Sequence, residues 1–496
     1  DIDDTAEVIL ALRAARTQDD GARGAALARA LMALFGQQNV LVKNEDLLLY
    51  EYDGGVDTAR PDAVVIPDDA SDVAKLARFC HEHHVPIVPR GAGTGLSGGA
   101  VPVEGGVVLS FAKLSRIRGL DPANLRAVVE PGLVNLHLST AASPLGLHFV
   151  PDPSSQKACT IGGNVAENSG GPHTLAYGVT TNHVTGLEIV LSDGTVTRLG
   201  GKRAETRGYD LVGAFVGSEG TLGVVTEATL VLTPRPEAVL TALAAFASTG
   251  EASEAVSAVI GAGVVPAAIE MMDHLAIQAV EAAVHAGYPL DAGAVLLVDV
   301  EGVREGLDAL LDRITTICRD AGATEVRLAH STTERELLWA GRKGAFGAMG
   351  RLAPDYYVQD GVIPRTKLPE VLAAIADIGA RHELRVANVF HAGDGNLHPL
   401  ILFDSAVPGQ LDRVREAGSE ILRVCLDAGG TLTGEHGIGM EKNCQMEWQF
   451  DDQDLATMQR LRRAFDPDGL ANPGKIFPTP SRCVEFKAGS FQRRGS

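Results

Sequence analysis

The segment VFHAGDGNLHPL, residues 389–400, carries two histidines on either side of a turn signal. Asp394-Gly395 is a dipeptide typical of tight β-hairpin turns, because such turns need positive φ angles. A two-residue turn there pairs His391 directly with His398, and directly opposed residues lie on the same face of a sheet. Two imidazoles that converge from neighbouring strands can bind a metal ion. The alternative is a pair of polar residues on the solvent face of a hairpin.

A second segment supplies further donor groups to this candidate site. TLTGEHGIGMEK, residues 431–442, contains Glu435 next to His436 in an equally glycine-rich stretch. Because alternate residues of a strand point to opposite faces, both side chains cannot face one metal from a regular strand. We therefore expect one of the two to face the metal and the other to face a substrate.

A glycine-rich loop, RGAGTGLSGGA at residues 90–100, follows the predicted strand 85–89. Its Gly-x-Gly-x-x-Gly spacing matches a dinucleotide fingerprint, which should open a helix. The continuation VPVEGGVVLSF is β-branched and reads as a strand, so this is not a Rossmann turn. The loop still offers many backbone N–H groups for a pyrophosphate, with Arg90, Thr94 and Ser97 nearby. The alternative is a flexible surface loop.

Two more segments lack helical or strand periodicity and are rich in small residues. They are residues 150–178, which start with prolines, and residues 216–232, a glycine-rich turn that leads into a strand. Backbone that closely approaches a flat ring needs small residues. Three such loops on one β-rich region indicate one large ligand with phosphates, a sugar and a ring.

Composition limits the partners and the compartment. The chain has 496 residues, 45% hydrophobic and 21% charged, and a formal net charge of −20. This excess of negative charge disfavours nucleic acid and anionic membranes as primary partners. No apolar run is long enough for an integral membrane span, and the sequence shows no signal-peptide pattern. The six dispersed cysteines form no Cys-x-x-Cys motif, which excludes an encoded iron–sulfur cluster and favours a reduced, cytoplasmic setting.

The chain divides at changes of composition into five parts. Residues 1–44 read as an N-terminal helical segment, 45–235 as a β-rich ligand-binding domain and 236–430 as an α+β domain after the proline-marked TPRPE boundary. Residues 431–480 form a C-terminal segment, and 481–496 a tail. In the third part, alternating strands and helices predict a ferredoxin-like layered domain. Its strands are predicted near 238–246, 265–271, 294–301, 325–329, 356–363, 385–391 and 397–403, and its helices near 250–260, 273–287, 303–320, 332–349, 367–382 and 407–428.

Taken together and in order, six motifs resemble those of the FAD-linked oxidases of the vanillyl-alcohol-oxidase or p-cresol-methylhydroxylase (PCMH-type) fold. The motifs are PRGAGTGLSGGA, PDPSSQKACTIGGNVAENSGG, GSEGTLGVVTEA, HAGDGNLHP, GEHGIGMEK and NPGKI. Within that family the chain is most similar to the group formed by the D-type subunit of glycolate oxidase and the D-lactate dehydrogenases. The resemblance implies a PCMH-type FAD-binding domain, a substrate and metal domain, and a C-terminal segment that returns to the flavin.

The resemblance also implies which residues hold FAD. The pyrophosphate would be bound by Arg90, Gly91, Ala92, Gly93, Thr94 and Gly95. The flavin would be surrounded by Pro151, Ser154, Ser155, Gly162, Gly163 and Asn164, and the ribityl and adenosine parts supported by Asn168, Glu219 and Val225. Asn472 would return to the ring. Some relatives attach flavin through a histidine where this chain has Ala100, so non-covalent FAD is expected.

For the second domain, the resemblance implies a divalent metal, commonly zinc, on His391, His398 and Glu435. His391 would also contact the substrate, and His436 would be the base; its alternative is a hydrogen-bonded core histidine. A set of two nitrogens and one oxygen also accepts manganese, iron or cobalt. Arg342 matches the arginine that binds the substrate carboxylate; its alternative is a solvated helix arginine. Lys343 is predicted to be a surface residue.

The expected reaction is oxidation of a small D-2-hydroxy acid, such as glycolate or D-lactate, to the 2-oxo acid. The metal would lower the pKa of the substrate hydroxyl, His436 would remove its proton, and hydride would pass to flavin N5. Relatives that oxidise D-2-hydroxyglutarate have a threonine where this chain has Phe346, which argues against a dicarboxylic substrate. That substrate variant, a non-catalytic flavin-binding electron-transfer subunit and a flavin-free metal hydrolase are the alternatives.

Electron transfer requires a partner that the sequence does not name. Relatives of the glycolate type pass electrons to an iron–sulfur subunit, and others use a cytochrome, a flavoprotein or oxygen. The resemblance therefore implies an electron-acceptor subunit, through which a cytoplasmic protein would be peripheral to a membrane. A monomer and a homodimer both stay open.

Overall fold

The computed structural model describes residues 20–203, 208–479 and 483, without the side chains of residues 20–23. The predicted tail lies outside the described residues apart from Cys483, as do residues 1–19 of the predicted N-terminal segment. In the described part of that segment a helix spans Asp20–Phe35 and ends at Gly36, whose φ of 80° is easily adopted by glycine. The predicted end of this helix is confirmed.

The first domain contains two main sheets. One has the strand order β1-β2-β4-β3, in which β4 lies parallel to both β2 and β3, and the other is antiparallel with the order β5-β6-β10-β8-β9. A short pair, β7 and β11, completes the domain. The strands are β1 Val40–Leu41, β2 Ala63–Val65, β3 Ile87–Arg90, β4 Val107–Ser110, β5 Ile117–Asp121, β6 Arg126–Val129, β7 Leu147–His148, β8 Val184–Val190, β9 Val196–Gly200, β10 Val224–Val231 and β11 Thr233–Pro234.

Helices of the first domain connect these sheets and leave the three glycine-rich loops between elements. The loop after β3 leads without a helix toward β4, as the sequence predicted for a non-Rossmann turn. The helices are α1 Asp20–Phe35, α2 Asn44–Leu47, α3 Ala70–His83, α4 Asn135–Ala142, α5 Ile161–Glu167, α6 Thr174–Tyr177 and α7 Leu211–Phe215.

The second domain is built on one antiparallel seven-stranded sheet with the order β15-β12-β14-β13-β17-β18-β16. Every predicted strand of this domain is present, with ends shifted by a few residues, because most of them are rich in apolar and β-branched residues. The strands are β12 Ala238–Phe246, β13 Ala268–Asp273, β14 Ala294–Gly302, β15 Glu325–Leu328, β16 Asp355–Val358, β17 Arg385–His391 and β18 Pro399–Phe403.

Helices cover both faces of this sheet. In β12, Ala244 and Phe246 belong to one buried core and Leu243 and Ala245 to another, as the alternation of a strand requires. Two helices, of 4 and 14 residues, follow in the C-terminal segment. Within the described ranges, none of the helices combines the length and apolar character needed to cross a membrane. The helices are α8 Thr249–Gly261, α9 His274–Ala283, α10 Leu307–Asp320, α11 Thr332–Ala348, α12 Leu368–Arg381, α13 Gln410–Asp427, α14 Met446–Gln449 and α15 Asp452–Phe465.

The cysteines are not all reduced. Cys444 and Cys483 form a disulfide, with 39 residues of sequence separation. The other four cysteines are free and buried: Cys80, Cys159, Cys318 and Cys425. The expectation of a reduced set is therefore wrong for one pair, because the fold brings together two cysteines that spacing in the sequence does not connect.

Candidate active site

The hairpin formed by β17 and β18 carries both histidines of the predicted metal site. Asn388 pairs with Pro399 and His391 with Asn396, so the predicted pairing of His391 with His398 is wrong by two residues. A slip of two residues keeps the alternation of a strand, and both imidazoles still lie on one face. The ring centroids of His391 and His398 are 5.0 Å apart.

Glu435 completes a three-residue donor set with these histidines. Its Oε1 atom lies 3.0 Å from Nε2 of His391 and 3.0 Å from Nε2 of His398. The other carboxylate oxygen accepts a hydrogen bond from the N–H of Gly170, in the first domain, at 3.1 Å. One donor atom from each of the three residues lies within 4.8 Å of the others. Two imidazole nitrogens and one carboxylate oxygen fit a divalent metal such as zinc.

Glu270, which the sequence did not single out, orients His391. It lies on β13 directly opposite His391, fully buried, with a carboxylate oxygen 2.8 Å from Nδ1 of the imidazole. This contact keeps the proton on Nδ1 and leaves the lone pair on Nε2 for a metal. Burial opposes the charged imidazole, but the carboxylates of Glu270 and Glu435 outweigh it and raise the pKa of His391 well above its usual value. The site therefore attracts positive charge.

Arg342, from α11, reaches the same carboxylate. Its Nη2 atom lies 2.6 Å from Oε2 of Glu270, and its side chain is 1% exposed. The Nε atom is buried and has no hydrogen-bond partner among the described residues. Since Arg342 lines the cavity described below, this nitrogen can donate to an anionic ligand. A solvated helix position is excluded by the burial of the side chain.

Asp360 is a second buried carboxylate that sequence reasoning missed. It accepts hydrogen bonds from the backbone N–H groups of Gly434 and His436, each at 2.9 Å, and so holds the loop that presents Glu435. The ring of His436 stacks on that of His398, with centroids 4.7 Å apart. Burial lowers the pKa of His436 to about 4, although Asp360 opposes this shift. A neutral imidazole of this kind can accept a proton.

Lys343 is not the surface residue that the sequence predicted. It lines the cavity, and its Nζ atom lies 3.3 Å from Oδ2 of Asp152. Oδ1 of the same carboxylate lies 2.6 Å from Nδ1 of His173. Asp152 and His173 belong to the first domain and Lys343 to the second, so this cluster connects the two domains beside the site.

One cavity of about 550 Å³ joins the metal-binding residues to the glycine-rich loops. Its second-domain wall includes Arg342, His391, His398, Glu435 and His436. Its first-domain wall contains most of the residues predicted to bind the cofactor, namely Arg90, Gly91, Ala92, Gly93, Thr94, Gly95, Ser154, Ser155, Gly162, Gly163, Asn164, Glu219 and Val225.

Three of the residues predicted to bind the cofactor do not line this cavity. Pro151 accepts a hydrogen bond on its carbonyl from Asn135, and Asn168 accepts one on its side chain from the N–H of Thr181. The Nδ2 atom of Asn472 donates to the carbonyls of Gly99 and Glu219, at 2.9 and 2.6 Å. The C-terminal segment thus returns to the first domain and holds two cavity loops together.

The loop at residues 91–97 fits a phosphate group. None of its backbone N–H groups donates to a protein atom within the ranges that the structure describes. Gly93 has a φ of 69°, and a Cβ atom there would collide with the guanidinium of Arg90. Arg90 is 6% exposed and donates to the carbonyl of Tyr52 at 2.5 Å, so its guanidinium also holds the loop in place. Free N–H groups on a rigid, concave loop bind anions.

Family models match both halves of the chain. Residues 61–200 match an FAD binding domain, and residues 235–476 match the C-terminal domain of FAD linked oxidases. The chain is 49% identical over 90% of its length to the glycolate oxidase subunit GlcD of Escherichia coli K12, of which it covers 90%. This chain belongs to the FAD-linked oxidase family. It is therefore an FAD-dependent oxidoreductase with the predicted α+β, PCMH-type fold.

Other relatives of this FAD-linked oxidase carry related names. It is 40% identical over 91% of its length to the glycolate oxidase subunit GlcD of Bacillus subtilis, covering 97% of that protein. A probable mitochondrial D-lactate dehydrogenase of Danio rerio is 32% identical, with 84% of each chain covered. Among solved structures, p-cresol methylhydroxylase with substrate bound has a TM-score of 0.78 at 19% identity, covering 93% of this chain and 98% of that one. That likeness concerns the fold alone.

Proposed function

We propose that this FAD-linked oxidase oxidises a small D-2-hydroxy acid of the glycolate or D-lactate type to the 2-oxo acid. The observation that carries the proposal is the convergence of His391, His398 and Glu435 beside His436 and Arg342, in the same cavity as the glycine-rich loops. Oxidation of a hydroxy acid requires a redox cofactor on one side of the substrate. On the other side it requires groups that bind a cation and accept a proton.

Side chains of the second domain bind and deprotonate the substrate in this proposal. Arg342 offers its unpartnered Nε–H to the substrate carboxylate. A ring nitrogen of neutral His436 accepts the proton of the hydroxyl group. His391 would contribute to substrate binding through the metal that it holds, because its Nδ1 atom contacts Glu270 and its Nε2 atom belongs to the donor set. The α-carbon is then free to face the first-domain wall.

A divalent metal, zinc by our proposal, would be held by His391, His398 and Glu435, and FAD would be held non-covalently by the loops of the first domain. When bound, the metal supplies Lewis acidity that lowers the pKa of a hydroxyl group, and FAD supplies the hydride acceptor at N5. Glu270 contacts Nδ1 of His391, so Nε2 is the nitrogen that would bind the metal. Ala100 lines the cavity without a side chain able to attach a flavin.

Aromatic side chains limit the size of the substrate. Phe346 lies edge-on to His398, with ring centroids 6.1 Å apart, and edge-on to Tyr356 at 6.2 Å. Both aromatic residues line the cavity. A phenyl ring beside the metal-binding histidine cannot pair with a second carboxylate. This supports a small monocarboxylic substrate over D-2-hydroxyglutarate.

The names of the relatives support the same substrate class and add a partner. The most similar relatives described above are named as a subunit of glycolate oxidase, and another is named as a D-lactate dehydrogenase. We therefore propose that the protein passes electrons to an iron–sulfur or other acceptor subunit, through which it reaches a membrane. A cytoplasmic setting is also proposed, because four of the six cysteines are free. A homodimer is not needed for the site, since every proposed residue lies in one chain.

The test is the visible spectrum of the purified protein, recorded without oxygen, before and after addition of glycolate, D-lactate, L-lactate or D-2-hydroxyglutarate. We expect a flavin band that glycolate or D-lactate bleaches and an electron acceptor restores. Bleaching by D-2-hydroxyglutarate alone would overturn the substrate assignment. A flavin band that none of the four acids bleaches would favour a non-catalytic flavin-binding subunit, and a colourless protein would favour a metal hydrolase.

A further inference from the structure

Glu167, at the end of α5, lies between the cofactor loop and the loop that carries His436. A Cβ atom added to Gly99 would lie 2.6 Å from Oε1 of Glu167, and one added to Gly437 would collide with Oε2. Glu167 also lines the cavity. Its carboxyl group therefore occupies the junction of the two walls, where a flavin bound by the first domain would face the second.

Glu219 lies close to the same position at Gly437, and the two carboxyl groups have different surroundings. The added Cβ of Gly437 would also lie 2.8 Å from Oε1 of Glu219. Glu219 accepts hydrogen bonds from the N–H groups of Ile438 at 2.7 Å and Gly439 at 2.8 Å. The Oε2 atom of Glu167 is buried and has no hydrogen-bond partner among the described residues. Burial raises the pKa of Glu219 too, to about 7, although its two N–H contacts oppose the shift. Of two neighbouring carboxyl groups, the one that accepts N–H groups ionises first, and the other holds its proton.

The nearby lysines do not reverse this assignment. Lys475 donates to the carbonyl of Val101 at 2.6 Å, and Lys442 lies 3.7 Å from Asp360. Both lysines favour the charged form of Glu167. Burial, followed by the charges of Glu219 and Asp53, outweighs them and raises the pKa of Glu167 well above its usual value. The direction agrees with the contacts.

We propose that Glu167 is a protonated, neutral carboxylic acid that donates a hydrogen bond to the flavin in the cavity. The inference rests on the proposed placement of FAD along the glycine-rich loops. Reduction adds negative charge to a flavin, which a carboxylate at this position would oppose and a neutral donor would stabilise. Glu167 would thus help to set the reduction potential without contacting the metal-binding residues.

The first experiment measures the flavin reduction potential of wild type, E167Q and E167L with reference dyes and a chemical reductant. Removing a negative charge raises a flavin potential, so E167Q should match wild type at neutral pH only if Glu167 is already neutral. E167L, which cannot donate, should have a potential lower by about 30 mV, a tenfold change for a two-electron couple. A raised potential in E167Q, or an unchanged one in E167L, would overturn the proposal. E237Q, an exposed glutamate at the boundary between the two domains, is the control.

The second experiment detects the proton directly. Infrared difference spectra of the flavin-loaded protein, oxidised minus reduced, should contain the carbonyl stretch of a protonated carboxylic acid, shifted in D₂O and absent from E167Q. Labelling of glutamate with ¹³C shows whether the band belongs to a glutamate, and its absence from E167L as well as E167Q assigns it to Glu167. Absence of the band would overturn the proposal. Neither experiment needs a hydroxy acid, so flavin that no substrate reduces would contradict the proposed function and leave the test of Glu167 intact.

Discussion

The Nδ1 atom of His391 lies 2.8 Å from the carboxylate of Glu270, on the neighbouring strand of the same sheet. The two residues are directly opposite in the register, so rigid backbone sets their contact. A buried carboxylate at this position selects one tautomer of the imidazole and increases its basicity toward a metal. The metal site therefore depends on a residue that is not itself in the donor set.

Replacing Glu270 by glutamine should weaken metal binding. The amide keeps the size of the side chain but has no negative charge to stabilise the imidazole, and it also leaves Arg342 without its ion pair. We expect zinc affinity to fall by about 10- to 100-fold. Competition titration with a chromophoric chelator gives the affinity, and E336Q, an exposed glutamate of the same domain, is the control. Equal affinity in E270Q and E336Q would contradict the prediction.

Replacing His436 by glutamine should slow reduction of the flavin by substrate. The ring of His436 stacks on His398, and His436 forms a second possible donor set with Asp360 and His398. It lies outside the set of His391, His398 and Glu435 that we propose holds the metal, so flavin and metal contents should stay at wild-type levels. Loss of a general base typically costs about 10²- to 10⁴-fold in rate. Anaerobic stopped-flow mixing with glycolate or D-lactate measures the step. A wild-type rate would rule out His436 as the base. Loss of metal from the variant would mean that His436 helps to hold the metal ion.

The cluster of Asp152, His173 and Lys343 makes the stability of the protein depend on pH. Burial opposes charge on His173, but Asp152 outweighs it and raises the pKa of the imidazole to about 9, from 6.5. A raised pKa in the folded state stabilises the protein fully below pH 6.5, and the stabilisation is lost as the pH rises through about 9. Its size is on the order of 3 kcal/mol.

Thermal unfolding of wild type and H173Q at several pH values measures this contribution. We expect H173Q to melt at a lower temperature than wild type near pH 6 and at a similar temperature near pH 10. A difference in melting temperature that does not change with pH would mean that packing of the ring against Trp339, not its charge, is what the substitution removes.

The register of the hairpin shows what local sequence decides and what it does not. The dipeptide Asp394-Gly395 predicts a two-residue turn, but the carboxylate of Asp394 accepts the N–H of Asn396 at 3.0 Å and the turn is longer. The pairing moves by two residues as a result. A slip of two residues leaves each side chain on the same face of the sheet. The convergence of the two histidines was therefore predictable, although the residues paired with them across the hairpin were not.

Contacts between distant segments explain the residues that the sequence did not reveal. Glu270 is 121 residues from His391, and a single glutamate within the apolar strand AIEMMD was the only available signal. Lys343 was predicted to be exposed because its partner is distant in sequence: its ammonium group contacts Asp152, which belongs to the other domain. By contrast, the glycine-rich loops were predictable as a cofactor site, since the conformations and close approaches they need are a property of glycine itself.

Replacing Phe346 by threonine should shift the substrate preference toward a dicarboxylic acid. The change removes a ring from between His398 and Tyr356 and puts a hydroxyl group where a distal carboxylate would lie. We expect the ratio of kcat/KM for D-2-hydroxyglutarate to that for glycolate to rise about tenfold. F346L, which also removes the ring but adds no polar group, is the matched control and should change the ratio less. A ratio that stays constant in both variants would mean that Phe346 does not contact the substrate side chain, and the size of the substrate would then be set elsewhere in the cavity.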